Sequence, residues 1–491
     1  MSILTIIAAT AVAIAPADSA MWQMTMPAYD NPAVRQWAMP ASHSAIGIGY
    51  MSDKLNRAVN PQTGTGERHW TFGADTYLKY RTSTLWGEAS YDNGRQTDRV
   101  WNETSDPELV YPCFTADSVG GDMKLERYRF GGGYADHAGR WGWGAQLSYQ
   151  AGLYYRDVDP RPKNVTGKLD MAVGGTFDIA GDYVAGLSVN YRKYKQSNDI
   201  AFKSVMGVDK LYHTTGLGTH YGRFAGLGDN SYYNGHRWGG TLNLYPMSGR
   251  GFSATLNMSR FEFTKVLSDL NKLPLADVWH NALTAQAAYV SAGRRHDWTV
   301  TAQFDTHRRH VVENQFGDAA SGIYPQIGAL ELYADNGYTA MLNGLWQWHN
   351  NRGTLAWLKP TVAYRHGSTL YLSPERQKRL SHLDYGLSGL LTAPAGKWRF
   401  TVSAAVACSS PLSHLLEMRD DGLTEPAGLV AAERQIYEYQ RHHTTSTTAG
   451  LKVARNIHRN FSLQLSGQWR HDSYFGATHG NRFDVSLAVL F

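Results

Sequence analysis

The side chains best suited to chemistry gather in a few places along the 491 residues, and nowhere does their spacing complete a reaction centre. His213 and His220 stand seven positions apart in the stretch 197–233, beside Lys210 and Arg223. Capture of a metal or haem there would need a supporting cysteine or carboxylate at ligand spacing, and none is present. The glycines and aromatic residues of the stretch point instead to a cap folded over an opening. Two cationic clusters follow, His307-Arg308-Arg309-His310 and Arg441-His442-His443. Clustered cations at a mouth attract negative charge, so Arg308, Arg309, His310, His442 and His443, with His213 and His220, are candidates for binding phosphates or steering anions. A solvated rim, its repulsion relieved by water and salt, is the plainer reading.

Catalysis finds less support. Asp75, Glu88, Asp305 and Asp484 are strewn without pairing, and no GxSxG elbow occurs. No enzyme and no cofactor are expected. Cys113 and Cys408 form no CxxC pair, which argues against a structural metal. A disulfide between them is allowed in an oxidising compartment if their Cα atoms come within about 7 Å. The formal charge of +5 is spread along the chain, giving no case for nucleic acid.

What must position these residues is a sheet. Forty-nine glycines and 12% aromatic residues favour strands and tight turns over helices. From residue 43 onward, segments of about ten residues alternate apolar and polar side chains, and alternate positions of a strand face opposite sides. In the last of them Phe483, Val485, Leu487, Val489 and Phe491 share one face, and Asp484 and Ser486 share the other. Elsewhere the polar face carries Gln146, Asn190, Arg192, Arg399, Gln464 and Gln468, all candidates for a wet interior. Trp and Tyr fall mostly at segment ends, where an apolar ring with a polar tip suits a membrane interface.

Short links, such as 136–139 and 393–397, alternate with longer ones, near 54–67, 97–123, 157–165, 197–233, 268–277, 313–326, 367–381, 409–434 and 472–481. That rhythm predicts an all-β fold, a transmembrane antiparallel up-and-down β-barrel of about 18 strands (16–18), with short periplasmic turns and long extracellular loops. In lipid such a sheet has to close, because an open edge would leave a row of backbone groups unpaired. No stretch of about 18 apolar residues follows the N-terminus, so no membrane-crossing helix is expected.

The ends differ from the body. Residues 1–20 read as a signal peptide, an apolar run from Ile3 to Ala15 followed by small residues, although no Lys or Arg precedes the run. Residues 21–42 carry Trp22, Met24, Met26, Trp37 and Met39, with Pro27, Pro32 and Pro40 opposing a regular helix. This N-terminal segment is expected to dock in the lumen or at the periplasmic mouth of a barrel spanning 43–491.

The C-terminal strand, with Phe491 last and apolar residues at 483, 485, 487 and 489, resembles the insertion signal that outer-membrane barrels present to the barrel assembly machinery. In strand rhythm and Gly/Tyr/Trp-rich style the whole mature chain resembles uncharacterised outer-membrane β-barrel families of Bacteroidota, often encoded beside TonB-dependent receptors. The resemblance implies a Gram-negative outer membrane, with its lipid and lipopolysaccharide as surroundings. Two roles compete: a transport-related barrel, either a channel or an accessory to uptake, and a non-conducting partner of a TonB-dependent receptor or surface lipoprotein. Polar inward faces favour the first, and the bulky inward residues Tyr77, Trp86, Trp357 and Leu390 favour the second.

Overall fold

The computed structural model describes residues 31–37, 41–179, 181–204, 210–418, 426–458 and 461–491. The expected signal peptide, residues 1–20, and residues 21–30 and 38–40 of the expected N-terminal segment lie outside them.

Eighteen strands form one antiparallel sheet. They are β1 (His43–Leu55), β2 (Gly66–Lys79), β3 (Ser83–Arg99), β4 (Gly121–Ala138), β5 (Trp141–Tyr155), β6 (Arg161–Asp178), β7 (Tyr183–Ala201), β8 (Ser231–Pro246) and β9 (Gly251–Leu267). The second half comprises β10 (Leu273–Ala292), β11 (His296–Phe316), β12 (Gln326–His349), β13 (Leu355–Leu372), β14 (Glu375–Ala395), β15 (Trp398–Met418), β16 (Thr444–His458), β17 (Phe461–Ser473) and β18 (His479–Leu490). Each pairs with its sequence neighbours, and β1 also pairs with β18 in a register that sets Ile48 against Leu487. Two backbone bonds between Ser44 and Phe491, 2.8 and 2.9 Å, finish the seam. The cylinder is therefore sealed.

Its exterior is a band of exposed apolar residues, among them Phe130, Val173, Leu187, Leu242, Val300, Leu387, Val402 and Leu465. This exposed band marks the facing, since a one-residue slip would turn each strand's greasy set inward. Among the described residues no helix is long and apolar enough to cross a membrane.

Connections at one rim, the turn end, take two to five residues, whereas those at the loop end reach 100–120, 202–230 and 419–443. One expected long link is absent. Positions 367–381 continue as β13 and β14 and turn at 373–374, and β15 likewise runs on to Met418. Polar alternation beyond the apolar band can still pair as strand, and β12, at 24 residues, is far longer than a band of about 25 Å requires.

Candidate functional site: a capped lumen

The barrel's interior changes character along its axis. Near the loop end the inward residues of β8 to β13 become large and apolar: Tyr233, Phe261, Phe263, Val278, Val311, Tyr333 and Tyr371. They receive the loop 100–120, whose Val110, Cys113, Phe114 and Ala116 complete one buried cluster with Leu217. Thr115–Ala116 pairs with Tyr212–Gly216, which pairs with Thr219–His220, so a small three-stranded sheet crosses the lumen. Thr214 ties the layers together, its hydroxyl donating to the Pro112 and Phe114 carbonyls and accepting from the Phe114 amide.

A buried polar clamp fastens this cap to the wall. The Arg156 guanidinium lies 3.0 Å from Glu103 and 3.4 Å from Asp117, and both carboxylates are fully buried. Asn164 and Asn198 both donate to the Glu103 carbonyl, at 2.8 and 2.9 Å, and Arg99 donates to the Thr104 carbonyl. Burial pushes the Glu103 carboxyl well above the usual range, with Asp117 beside it adding to the effect. Asp117 is held low despite its own burial, by hydrogen bonds from Glu103 and from the Gly120 and Val119 amides. A third piece is α1 (Ala427–Gln440), between β15 and β16. His382 bonds to its Gln440 carbonyl at 2.7 Å, and Lys378 and Tyr111 both approach Glu433.

At the turn end the lumen holds a short 3-10 helix, Pro32–Trp37, within the described part of the N-terminal segment. Tyr77 donates to the Arg35 carbonyl at 2.7 Å, and the Arg35 guanidinium lies 5.0 Å over the Trp86 ring. Asn31 donates to the Gly175 carbonyl. The wall makes room by omitting side chains: a Cβ on Gly144 would stand 2.6 Å from the Ala33 amide nitrogen.

Between cap and floor lies a cavity of about 2300 Å³. Gln146, Asn190, Gln464, Gln468 and Asp484 line it, as do Tyr77, Trp86, Trp357 and Leu390, which narrow it without filling it. Arg192 shares the inward face and pairs with Asp170 at 2.6 Å. Arg399 is exposed near the turn end and lies apart from the cavity lining. Most inward charge is neutralised locally, Arg127 by Glu67 and Asp92, Arg470 by Asp472 and Arg482 by Asp484. Lys359 and Lys452 also line the cavity, and neither has an ionic partner among the described residues. Across the same residues, no group of three His, Cys, Asp or Glu side chains is placed to hold a metal ion.

The cluster at 307–310 does not act as a unit, because strand alternation splits it, and Arg441-His442-His443 lies in the link between α1 and β16. His307 and Arg309 point inward, the first to Asp335 and the second to the Glu108 and Tyr111 carbonyls of the cap. Arg308 and His310 point outward. His213, expected at the mouth, is instead fully buried in the cap with Nε2 at 2.9 Å from the Leu227 carbonyl. Burial holds its imidazole well below the ordinary value, and it stays neutral. His220 meets Tyr212 edge-on, His442 stacks on Phe475 at 3.7 Å and reaches the cavity, and His443 contacts Ser410. The disulfide is not formed. Cys113 is buried in the cap core while Cys408 sits mid-strand between Tyr385 and Thr445, and both thiols are free.

The family of unknown function DUF6850 matches residues 32–491. This chain belongs to that family. No curated protein matches the sequence. Solved structures similar in outline include a ferric enterobactin receptor mutant from Pseudomonas aeruginosa, with 9% identity, 92% of this chain and 80% of that chain covered, and a TM-score of 0.39. A copper transporter, OprC, covers 92% and 81% at 8% identity with a TM-score of 0.40. The siderophore receptor PiuA from Acinetobacter baumannii gives 7% identity, 91% and 82% coverage and a TM-score of 0.40. Likeness at these scores carries no argument about this DUF6850 member, whose architecture rests on its own strand ladders.

Proposed function

We propose that this barrel resides in a Gram-negative outer membrane, turns toward the periplasm and loops outward, and serves transport by handling a polar solute in its capped lumen. The observation that carries the reading is the cavity of about 2300 Å³, polar on its walls and held open between a built cap and a short floor helix. A barrel used only as a scaffold has no need of such a space, and inward side chains of ordinary size can fill a smaller cylinder. The C-terminal strand ending in Phe491, with Phe483, Val485, Leu487 and Val489 along its outer side, is read as the insertion signal for the assembly machinery.

Planar-bilayer recording tests the reading. The intact protein should pass little current, because the cap core crosses the loop end. A variant lacking residues 103–117, verified as a folded barrel by heat-modifiable migration, should give stable ohmic steps. A folded but silent deletion variant would end the proposal.

A second reading draws on the hairpin between β11 and β12, where Ile323, Ile327 and Leu330 stand exposed. Such a surface suits a partner, either a TonB-dependent receptor or a surface lipoprotein. The resemblance to Bacteroidota barrels encoded beside such receptors supports it, and co-purification from native membranes together with gene neighbourhood would distinguish it.

A further inference from the structure

The lipid-facing wall of β8 to β14 carries a row of cations directly above an apolar trough. Following the ladders across, Trp238, Arg260, Asn281, Arg308, Asn336, Ser368 and Arg379 occupy one rung. Alternation fixes their direction, since Arg260 lies two positions from exposed Met258, Arg308 four from exposed Phe304 and Arg379 six from exposed Tyr385. The rung holds no carboxylate. Arg260 is 3.5 Å from Glu262, itself exposed, Arg379 is satisfied locally by the Gln377 amide, and Arg308 has no partner among the described residues. One rung further out Lys193 and His236 bond at 2.7 Å, and His310 meets Glu331.

Toward the turn end, the same strands present two rungs of mostly small side chains: Leu256, Ala285, Phe304 and Ala340, then Ala254, Ala287, Ala302 and Leu342. Together they form a trough of about 860 Å³ in the outer wall. Four residues separate Arg260 from Leu256, about 13 Å along a strand. The arginine stems can cover part of that distance along the apolar surface with their heads at the water boundary.

We propose that this face binds a phosphorylated, multi-acyl glycolipid of the loop-side leaflet, with its chains in the trough and its phosphates on the arginine row. Guanidinium groups suit phosphate because their paired donors match two oxygens. The row also sets the number of phosphates. Arg260 and Arg308 are two strands apart, about 10 Å, close enough to share one group, while Arg379 lies three strands beyond, about 14 Å, and reaches a second. A diphosphorylated headgroup fits this row better than a single phosphate does. The site is independent of whether the lumen conducts.

Native mass spectrometry of the full-length barrel in detergent supplies the test, with diphosphoryl hexa-acyl glycolipid, its monophosphoryl counterpart and a phosphatidylcholine as probes. The diphosphoryl lipid should be retained one to one and at least tenfold more tightly than either of the others. Arg308→Gln combined with Arg379→Gln should remove that preference. Ala285→Phe with Ala302→Phe, which fills the trough from the lipid side, should weaken retention whatever the headgroup. Heat-modifiable migration verifies the fold of each variant. Equal retention of the three lipids, or an unchanged preference in the arginine variant, would overturn the assignment. A second copy of the chain bound here and released by Ala285→Phe would also overturn it.

Discussion

Arg156→Ala should release the cap while leaving the barrel intact. The Arg156 side chain is 2% exposed, its Nη2 serves both Glu103 and Asp117, and its Nε donates to the Pro160 carbonyl at 2.8 Å. Truncation strands the buried Asp117 carboxylate without its cation and takes a donor from the Glu103 carboxyl beside it, and breaking one side of a buried ion pair costs about 3–5 kcal/mol. That cost falls on the docked cap, because the strands keep their own ladders. At about 1.4 kcal/mol per factor of ten, the undocked population rises by about two to three and a half orders of magnitude. Hydrogen exchange reads this directly at the amides that fold the loop, Trp101 to the Asp117 carbonyl at 3.1 Å and Glu103 to the Thr115 carbonyl at 2.8 Å. Those amides should exchange faster by a comparable factor while barrel amides do not.

The same cluster sets a pH window. Glu103 is raised, so its contribution is complete at acid pH and fades as pH climbs through the raised value. Asp117 is lowered, so its contribution is lost only as pH falls through that low value. Cap protection should therefore be greatest in mild acid and decline toward alkaline pH. Unchanged exchange across residues 103–117 in Arg156→Ala would refute the claim that this clamp holds the cap.

Three further outcomes follow from the geometry. Leu487→Arg places a cation on the lipid face between Ile48 and Leu465, at a cost of about 2–4 kcal/mol if it lies at mid-depth. Ser486→Arg, beside Ser466 inside the barrel, should be tolerated, and urea titration of refolded protein ranks the two. Gly144→Val drives a side chain into the backbone at Ala33, so residues 31–37 should become accessible to protease with the barrel still folded. Removing Phe491 deletes both backbone bonds to Ser44, so the folded fraction recovered in membranes should drop, as read by heat-modifiable migration.

The strand order and closure were legible because alternation against lipid is a strong, repeated constraint, and the eighteen-strand count follows from it. The cap was legible only as a loop rich in glycine and aromatic residues, yet the strands themselves announce where it packs. In β9 the even positions Phe252, Leu256 and Met258 face lipid, but the aromatics then shift to the odd positions Phe261 and Phe263, which are buried inward. β8 does the same between Leu242 or Trp238 and Tyr233, and β12 between Leu342 and Tyr333. A change of apolar phase within one unbroken strand means that grease has moved to the interior, and only an inward-folded loop can cover it there. The cationic cluster at 307–310 misled for the complementary reason. Read as linear runs, His307 to His310 look like one site, but a strand sends neighbours to opposite sides. The inward pair serves the lumen and cap while Arg308 joins arginines from other strands across the outer wall. Chemistry on a barrel is organised along rungs, between residues far apart in sequence, and no run of consecutive letters can display it.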